Sequence, residues 1–241
     1  MVDPRLSVID KRFKDVKNII SIVSGKGGVG KSVIASTMAL LLAQKGFKTG
    51  LLDLDFYGPS CHIVYGVEKT FPKEEKGLVP PEINGVKFMT ITYFAEEEPV
   101  PLRGQEVTDA IIEILAITIW GELDYLIIDM PPGIGDEILD IIRLVKNAKH
   151  IVVTAPTKLA INVSKRLIKL FREINVDLIG LIENMVSEES LAKEICKNIG
   201  IKYLGRIRFD KNLENAIGDP EKIKETIFAQ DLNSIVSEII K

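Results

Sequence analysis

The chain has 241 residues, 46% of them apolar and 27% charged, which is enough for a large core without disulfide staples. It carries 31 basic against 34 acidic side chains, and the resulting net charge of −3 excludes a global field for nucleic acid or anionic lipid. Two distant cysteines, Cys61 and Cys196, make no disulfide framework, and neither a signal peptide nor an apolar run of about 18 residues occurs. The expectation is therefore one domain over 1–241, with an N-terminal extension at 1–17, in the cytoplasm and without nucleic acid or membrane as partner.

Residues 18–24 form the first apolar, β-branched run. Similar runs follow at 48–54, 86–91, 123–129, 149–155, 177–183 and 202–207, most of them separated by stretches of helical period. Tyr125-Leu126-Ile127-Ile128 and Ile151-Val152-Val153-Thr154 are continuous rather than alternating, as strands covered on both faces must be. The predicted fold is α/β: a doubly wound, mostly parallel sheet of seven to eight strands with helices on both faces. The helix at 32–45 is apolar around most of its circumference, so it should be buried, with Gly46 available to cap its end. Residues 66–85 break periodicity with Pro72, Pro80, Pro81 and the charged Lys73-Glu74-Glu75-Lys76, and read as a surface excursion. Glu96-Glu97-Glu98 reads as a solvated loop.

The most informative stretch is Ser24-Gly25-Lys26-Gly27-Gly28-Val29-Gly30-Lys31-Ser32, between the first strand and the first long helix. From Gly25 onward it satisfies G-x-x-x-x-G-K-[ST]. Its glycines let backbone N–H groups turn toward phosphate oxygens, and the helix N-terminus adds its positive end. Lys31 would neutralise the β and γ oxygens of ATP, and the Ser32 hydroxyl would ligate Mg²⁺. The nucleotide-binding set is thus Gly25, Lys26, Gly27, Gly28, Val29, Gly30, Lys31, Ser32 and the adjoining Val33. The second lysine, Lys26, makes this loop resemble the deviant Walker A loop, Lys-Gly-Gly-x-Gly-Lys-[ST], of the MinD, ParA, Mrp and nitrogenase iron-protein class. That resemblance implies a homodimer in which Lys26 reaches the partner's phosphates and stabilises charge developing on transfer. A solvated lysine beside a phosphate site is the alternative.

Asp53-Leu54-Asp55 ends the second predicted strand, and Asp129 ends the fourth, where a parallel sheet opens its ligand crevice. In proteins with this loop the second acid of the pair orients or activates the attacking water. That assigns catalysis to Asp55 beside Lys26 and Lys31, and leaves Asp53 supporting Mg²⁺ or its water shell. The reversed assignment stays open, because residues two apart share a strand face. Asp129 has the pattern of an apolar strand closed by an acid that holds Mg²⁺ through water, so the metal set is Ser32, Asp53 and Asp129. Met130-Pro131-Pro132-Gly133-Ile134-Gly135-Asp136 reads as a switch segment, with Gly133 as the γ-phosphate sensor.

Further stretches resemble the Mrp family of iron–sulfur cluster carrier ATPases: Asp55-Phe56-Tyr57-Gly58-Pro59-Ser60, Arg103-Gly104, Trp120-Gly121-Glu122-Leu123-Asp124-Tyr125, the switch segment through Glu137, and Glu183-Asn184-Met185. The resemblance spans most of the chain and implies slow, dimer- or client-stimulated ATP hydrolysis, a homodimer, and delivery of a cluster to an apoprotein client. It also implies that Asn184 reads the adenine edge; a plain turn asparagine is the alternative. Two departures stand out. The usual Cys-x-x-Cys after Glu-Asn-Met is replaced by Val186-Ser187-Glu188-Glu189-Ser190, and Arg208 stands where the family has proline. Cys196 reads as a small buried hydrophobe, and Cys61 with His62 as packing or, less simply, one thiolate per subunit. The rival reading is a MinD- or ParA-like regulatory or positioning ATPase without a cluster, and a third is a nucleotide-binding scaffold. The charge-balanced C-terminus, with Lys222, Lys224 and Lys241 against Glu221, Glu225, Asp231 and Glu238, argues against membrane attachment. The Lys165-Arg166, Lys169 and Arg172 group reads as a solvated face rather than a nucleoid-binding stripe.

Overall fold

The computed structural model describes residues 3–67, 70–94 and 104–240. Arg103, Glu96-Glu97-Glu98 and Lys241, named above, lie outside them. The elements in chain order are α1 (Arg5–Arg12), β1 (Val16–Val23), α2 (Lys31–Gln44), β2 (Thr49–Asp53), α3 (Cys61–Tyr65), β3 (Lys73–Glu74), β4 (Leu78–Val79), β5 (Glu82–Ile83) and β6 (Val86–Thr90). They continue with α4 (Gln105–Ile117), β7 (Leu123–Asp129), α5 (Asp136–Leu144), β8 (Ala148–Thr154), α6 (Lys158–Glu173), β9 (Leu178–Val186), α7 (Ala192–Ile199), β10 (Tyr203–Arg208), α8 (Leu213–Ala216), α9 (Pro220–Glu225) and α10 (Ile227–Ile239).

All seven predicted runs are strands of one eight-stranded sheet in the order β10-β9-β8-β1-β7-β2-β6-β5. Every pairing is parallel except that of β5, which returns antiparallel on β6. Period 2 divides the strand side chains between two cores. Ile19 and Val23 of β1, with Leu126 and Ile128 of β7, face α1, α4, α5, α6 and α7. Ile20, Ile22 and Ile127 face α2, α3, α8, α9 and α10. Burial on both faces is why these strands read as continuous apolar runs. The helix α2 lies between the sheet and α10, with α3 and α9 alongside, so side chains all around it from Ile34 to Leu42 are buried.

The 66–85 stretch is mostly exposed, and it contains the small antiparallel pair β3–β4 as well as β5. At the other end of the chain, α1 packs on α4 through Ile9, which is buried. The Arg12 guanidinium donates to the Ala116 carbonyl at 2.8 Å and pins that contact. Among the described residues no helix is long and apolar enough to cross a membrane.

The adjacent strands β1 and β7 send the chain in opposite directions. From β1 it crosses one face through α2 to β2, and from β7 it crosses the other face through α5 to β8. A crevice opens beyond the C-terminal ends of strands at such a switch.

One buried group makes the fold acid-sensitive. His150 in β8 is 2% exposed and meets Phe171 edge-on, with ring centroids 5.5 Å apart. Burial pushes its imidazole down to about 4, against the opposing pull of Asp177. The folded value lies below that of the unfolded chain, so protonation favours unfolding, and stability present above about pH 6.5 is lost as the pH falls toward 4. The expected loss is roughly 3 kcal/mol at the acid end of that window. Urea melts at pH 7 and pH 4 should show a smaller loss for His150→Leu than for the parent protein; equal losses would contradict the assignment.

Candidate functional site

The loop after β1 turns through two glycines in the left-handed region, Gly28 at φ 78° and Gly30 at φ 84°, before α2 begins at Lys31. Gly30 is required for a second reason, because a Cβ there would collide with the side-chain amide of Asn184. That amide, at the end of β9, donates to the Val29 carbonyl at 2.9 Å and ties the far strand to the loop.

Beneath the loop the strand ends bring acids together. Parallel pairing sets Asp53 beside Asp129, and the Leu54 N–H donates to the Asp129 carbonyl at 2.9 Å, carrying the ladder one residue past β2. Lys31 enters this group from α2. Its Nζ donates to Asp129 Oδ1 at 2.7 Å and lies 3.4 Å from Asp55 Oδ2, with the ammonium buried. Burial alone would lower the Lys31 value, but Asp129 and then Asp55 outweigh it, and the ammonium is held above its ordinary range. Burial pushes Asp53 up to about 7, and the charge of Asp129 adds to the rise. Asp129 is likewise raised by burial, with Lys31 opposing.

The two acids after β2 have different surroundings. Asp53 is fully buried and accepts the N–H groups of Asp55 at 3.1 Å and Cys61 at 3.2 Å. Asp55 accepts the N–H groups of Tyr57 at 3.3 Å and Gly58 at 3.1 Å through Oδ1, which leaves Oδ2 toward Lys31. Asp55 also lines a cavity of about 420 Å³ with Gly28, Lys31, Ser32, Val33 and Pro132. A second cavity of about 270 Å³ shares Gly30 and Val33 with the loop and extends past Asn184 and Met185 to Arg208 and Phe209. Arg208 lines that cavity with its guanidinium held by Asp231 through two bonds at 2.8 and 2.9 Å. The Gly133 N–H donates to the Ser24 carbonyl at 2.9 Å, which fastens the segment after β7 to the loop after β1. Lys26 is exposed and has no hydrogen bond or ion pair among the described residues.

Three features were not legible in the sequence. Cys61, at the start of α3, directs its thiol to Asp129 Oδ2 at 3.5 Å. Tyr57 donates to Glu137 at 2.9 Å and so bridges the loop after β2 to the start of α5. Glu183 caps α7: it accepts the N–H groups of Leu191 at 3.0 Å and Ala192 at 3.1 Å, and the hydroxyls of Ser190 and Tyr203. An acid before a helix start is a capping signal, but the eight-residue span from Glu183 to Leu191 hid it. The thiols do not resemble cluster ligands. Cys61 and Cys196 are buried in cores on opposite faces of the sheet. Burial pushes the Cys61 thiol well above its ordinary value and Cys196 up to about 11.

A glycine-turned loop from a strand into a helix, with its lysine on the acid that ends a neighbouring strand, defines a P-loop nucleotide-binding protein. Residues 15–241 match the ParA family in its form described as the NUBPL iron-transfer P-loop NTPases, and the chain belongs to that family. The iron-sulfur cluster carrier protein of Pseudomonas fragi is 41% identical over 190 residues, covering 77% of this chain and 64% of that protein. The protein of the same name from Saccharolobus solfataricus is 34% identical over 256 residues, covering 97% and 86%. The chain therefore spans less than two thirds of the Pseudomonas protein and most of the archaeal one. Among solved structures, a nucleotide-binding protein from Archaeoglobus fulgidus in complex with ADP aligns with a TM-score of 0.77 at 30% identity, covering 91% of this chain and 93% of that one. The septum site-determining protein MinD of Pyrococcus horikoshii, complexed with Mg-ADP, shares the fold with a TM-score of 0.70 at 21% identity, covering 94% and 97%.

Proposed function

We propose that this chain is an Mrp-type ATPase of the cytoplasm, which binds and hydrolyses MgATP as a nucleotide-switched homodimer and serves iron–sulfur cluster assembly or transfer to apoprotein clients. The observation that carries this reading is the Lys31–Asp129 pair, 2.7 Å long, under a preformed phosphate loop. An ATP tail in the 420 Å³ cavity offers Lys31 a stronger anion than one carboxylate. Moving the ammonium to phosphate exchanges one buried pair for another, where plain removal of a partner would cost about 3–5 kcal/mol.

The released acids fit a divalent cation, since the Ser32 hydroxyl lies 3.4 Å from the Lys31 ammonium that rests on Asp129, and Asp53 lies beside Asp129. Ser32, Asp53 and Asp129 would hold Mg²⁺, which supplies charge neutralisation for the phosphates. Two backbone donors fix Asp55 at the cavity wall, and that position suits orienting a water toward the terminal phosphate. Asn184 and the cavity beyond it suit an adenine, and the Gly133 N–H, once freed from Ser24, suits a γ-phosphate.

The dimer reading rests on the same edge of the sheet. The loops after β2, β7 and β10, the start of α6 and the end of β9 expose Tyr57, Ile134, Phe209, Leu159 and Met185. Apolar side chains gathered at one edge suit a protein contact that would carry Lys26 to the partner's phosphates. A cluster as cargo finds no exposed thiol pair here, because the two cysteines are both buried. Service in cluster traffic then comes from nucleotide switching toward a client, and the same observation favours the second reading, a MinD- or ParA-like regulatory ATPase.

Asp55→Asn should retain ATP binding while steady-state turnover falls about 100-fold or more; unchanged turnover removes Asp55 from the chemistry. Lys26→Ala should abolish ATP-dependent dimerisation in light scattering while nucleotide affinity changes little, and equal loss of both would place the lysine's action within its own subunit. Anaerobic reconstitution with iron and sulfide should leave no acid-labile sulfide on the protein after desalting. A stoichiometric cluster that survives desalting would contradict the reading of the thiols.

A further inference from the structure

Under the phosphate loop three side chains from three elements converge. They are Asp53 at the end of β2, Cys61 at the start of α3 and Asp129 at the end of β7. One ligand atom of each lies within 4.8 Å of the other two, and all three residues are fully buried. Two carboxylates and a thiol at this spacing form a mixed donor set, and a cation already rests against it, for Lys31 Nζ stands 2.7 Å from Asp129 Oδ1.

We propose that Asp53, Cys61 and Asp129 bind a borderline-soft divalent transition-metal ion, of the Fe²⁺, Co²⁺ or Zn²⁺ kind, at the place the reading above gives to magnesium. The inference rests on that reading for its site and goes beyond it in the class of metal. The geometry is apt. Donors about 2.3 Å (sulfur) and about 2.0 Å (oxygen) from a tetrahedral ion lie about 3.5 Å apart, and Cys61 Sγ is 3.5 Å from Asp129 Oδ2. The chemistry discriminates as well. Mg²⁺ takes oxygen alone in a near-ideal octahedron, so it would draw on Ser32, Asp53 and Asp129 and leave Cys61 unused, whereas a softer ion would engage the sulfur as well. A thiolate beside carboxylates favours iron, cobalt and zinc. On binding, the Cys61 S–H proton leaves to solvent as the sulfur–metal bond forms, and no group changes oxidation state. Transfer of Lys31 from Asp129 to a phosphate would free a lone pair for the ion, so nucleotide and metal should bind together.

The test adds Co²⁺ alone, and then Co²⁺ with ADP, to the reduced full chain without oxygen. The expected result is a thiolate-to-cobalt charge-transfer absorption in the near ultraviolet that saturates at one cobalt per chain. It should be absent from Cys61→Ser and retained in Cys196→Ser. X-ray absorption at the cobalt edge on the parent protein needs no variant: one sulfur neighbour supports the site, and an all-oxygen shell overturns it. Absence of the band, or its loss in Cys196→Ser instead of Cys61→Ser, would also overturn it. Calorimetry of ATP in magnesium buffer separates the two readings. ATP binding without a cobalt–sulfur signal removes this inference and leaves the nucleotide site standing, whereas a cobalt–sulfur signal without ATP binding keeps the metal site and removes the ATPase reading.

Discussion

The Lys31 ammonium, buried among the carboxylates of Asp129 and Asp55 with Asp53 close behind, is the interaction on which the rest of the structure depends. Strand pairing brings the acids together: Asp129 sits in register with Ile22 on one side and Asp53 on the other. Burial raises Asp53 and Asp129 alike, so the crevice floor holds more anionic capacity than one lysine neutralises. A site in that condition takes up positive charge readily. Release of the lysine to another anion would link phosphate and cation binding in a single event.

The loops around the floor are fastened in a way that such an event would disturb. The Gly133 N–H rests on the Ser24 carbonyl, the Asn184 amide on the Val29 carbonyl, and the Tyr57 hydroxyl on Glu137. Each contact joins segments belonging to different strands, so a change in the phosphate loop would be transmitted toward Tyr57 and Ile134, which are exposed. A packed interior transmits such a shift because it is dense and switches between discrete arrangements. The cysteines take no part in these contacts, since one lies beneath the acids and the other in the opposite core.

The sheet was legible in the sequence because strands covered on both faces leave an unbroken apolar record, as in Tyr125-Leu126-Ile127-Ile128. The phosphate loop was legible because each glycine and lysine in it answers a local demand. Elements set by distant contacts were not. The two-residue strands β3, β4 and β5 are too short to show a period, and α1 is ordered by the fit of Ile9 and Arg12 against α4, about a hundred residues away in the chain. Cys61 read as packing because nothing beside it in sequence announces Asp129, which the fold brings within 3.5 Å. Glu183 matched a family motif, while its work at the start of α7 depends on how the chain returns after β9.

At the centre of the site is the exchange by which the loop over Lys31 would take a triphosphate in place of Asp129. Isothermal calorimetry with ATP in magnesium buffer, on the parent chain and on Lys31→Ala, measures this directly. The prediction is saturable binding at one nucleotide per chain, weakened at least 100-fold by the substitution, as loss of a buried charge-assisted contact of about 3 kcal/mol requires. No binding heat for the parent chain, or equal affinity for the two proteins, would contradict it.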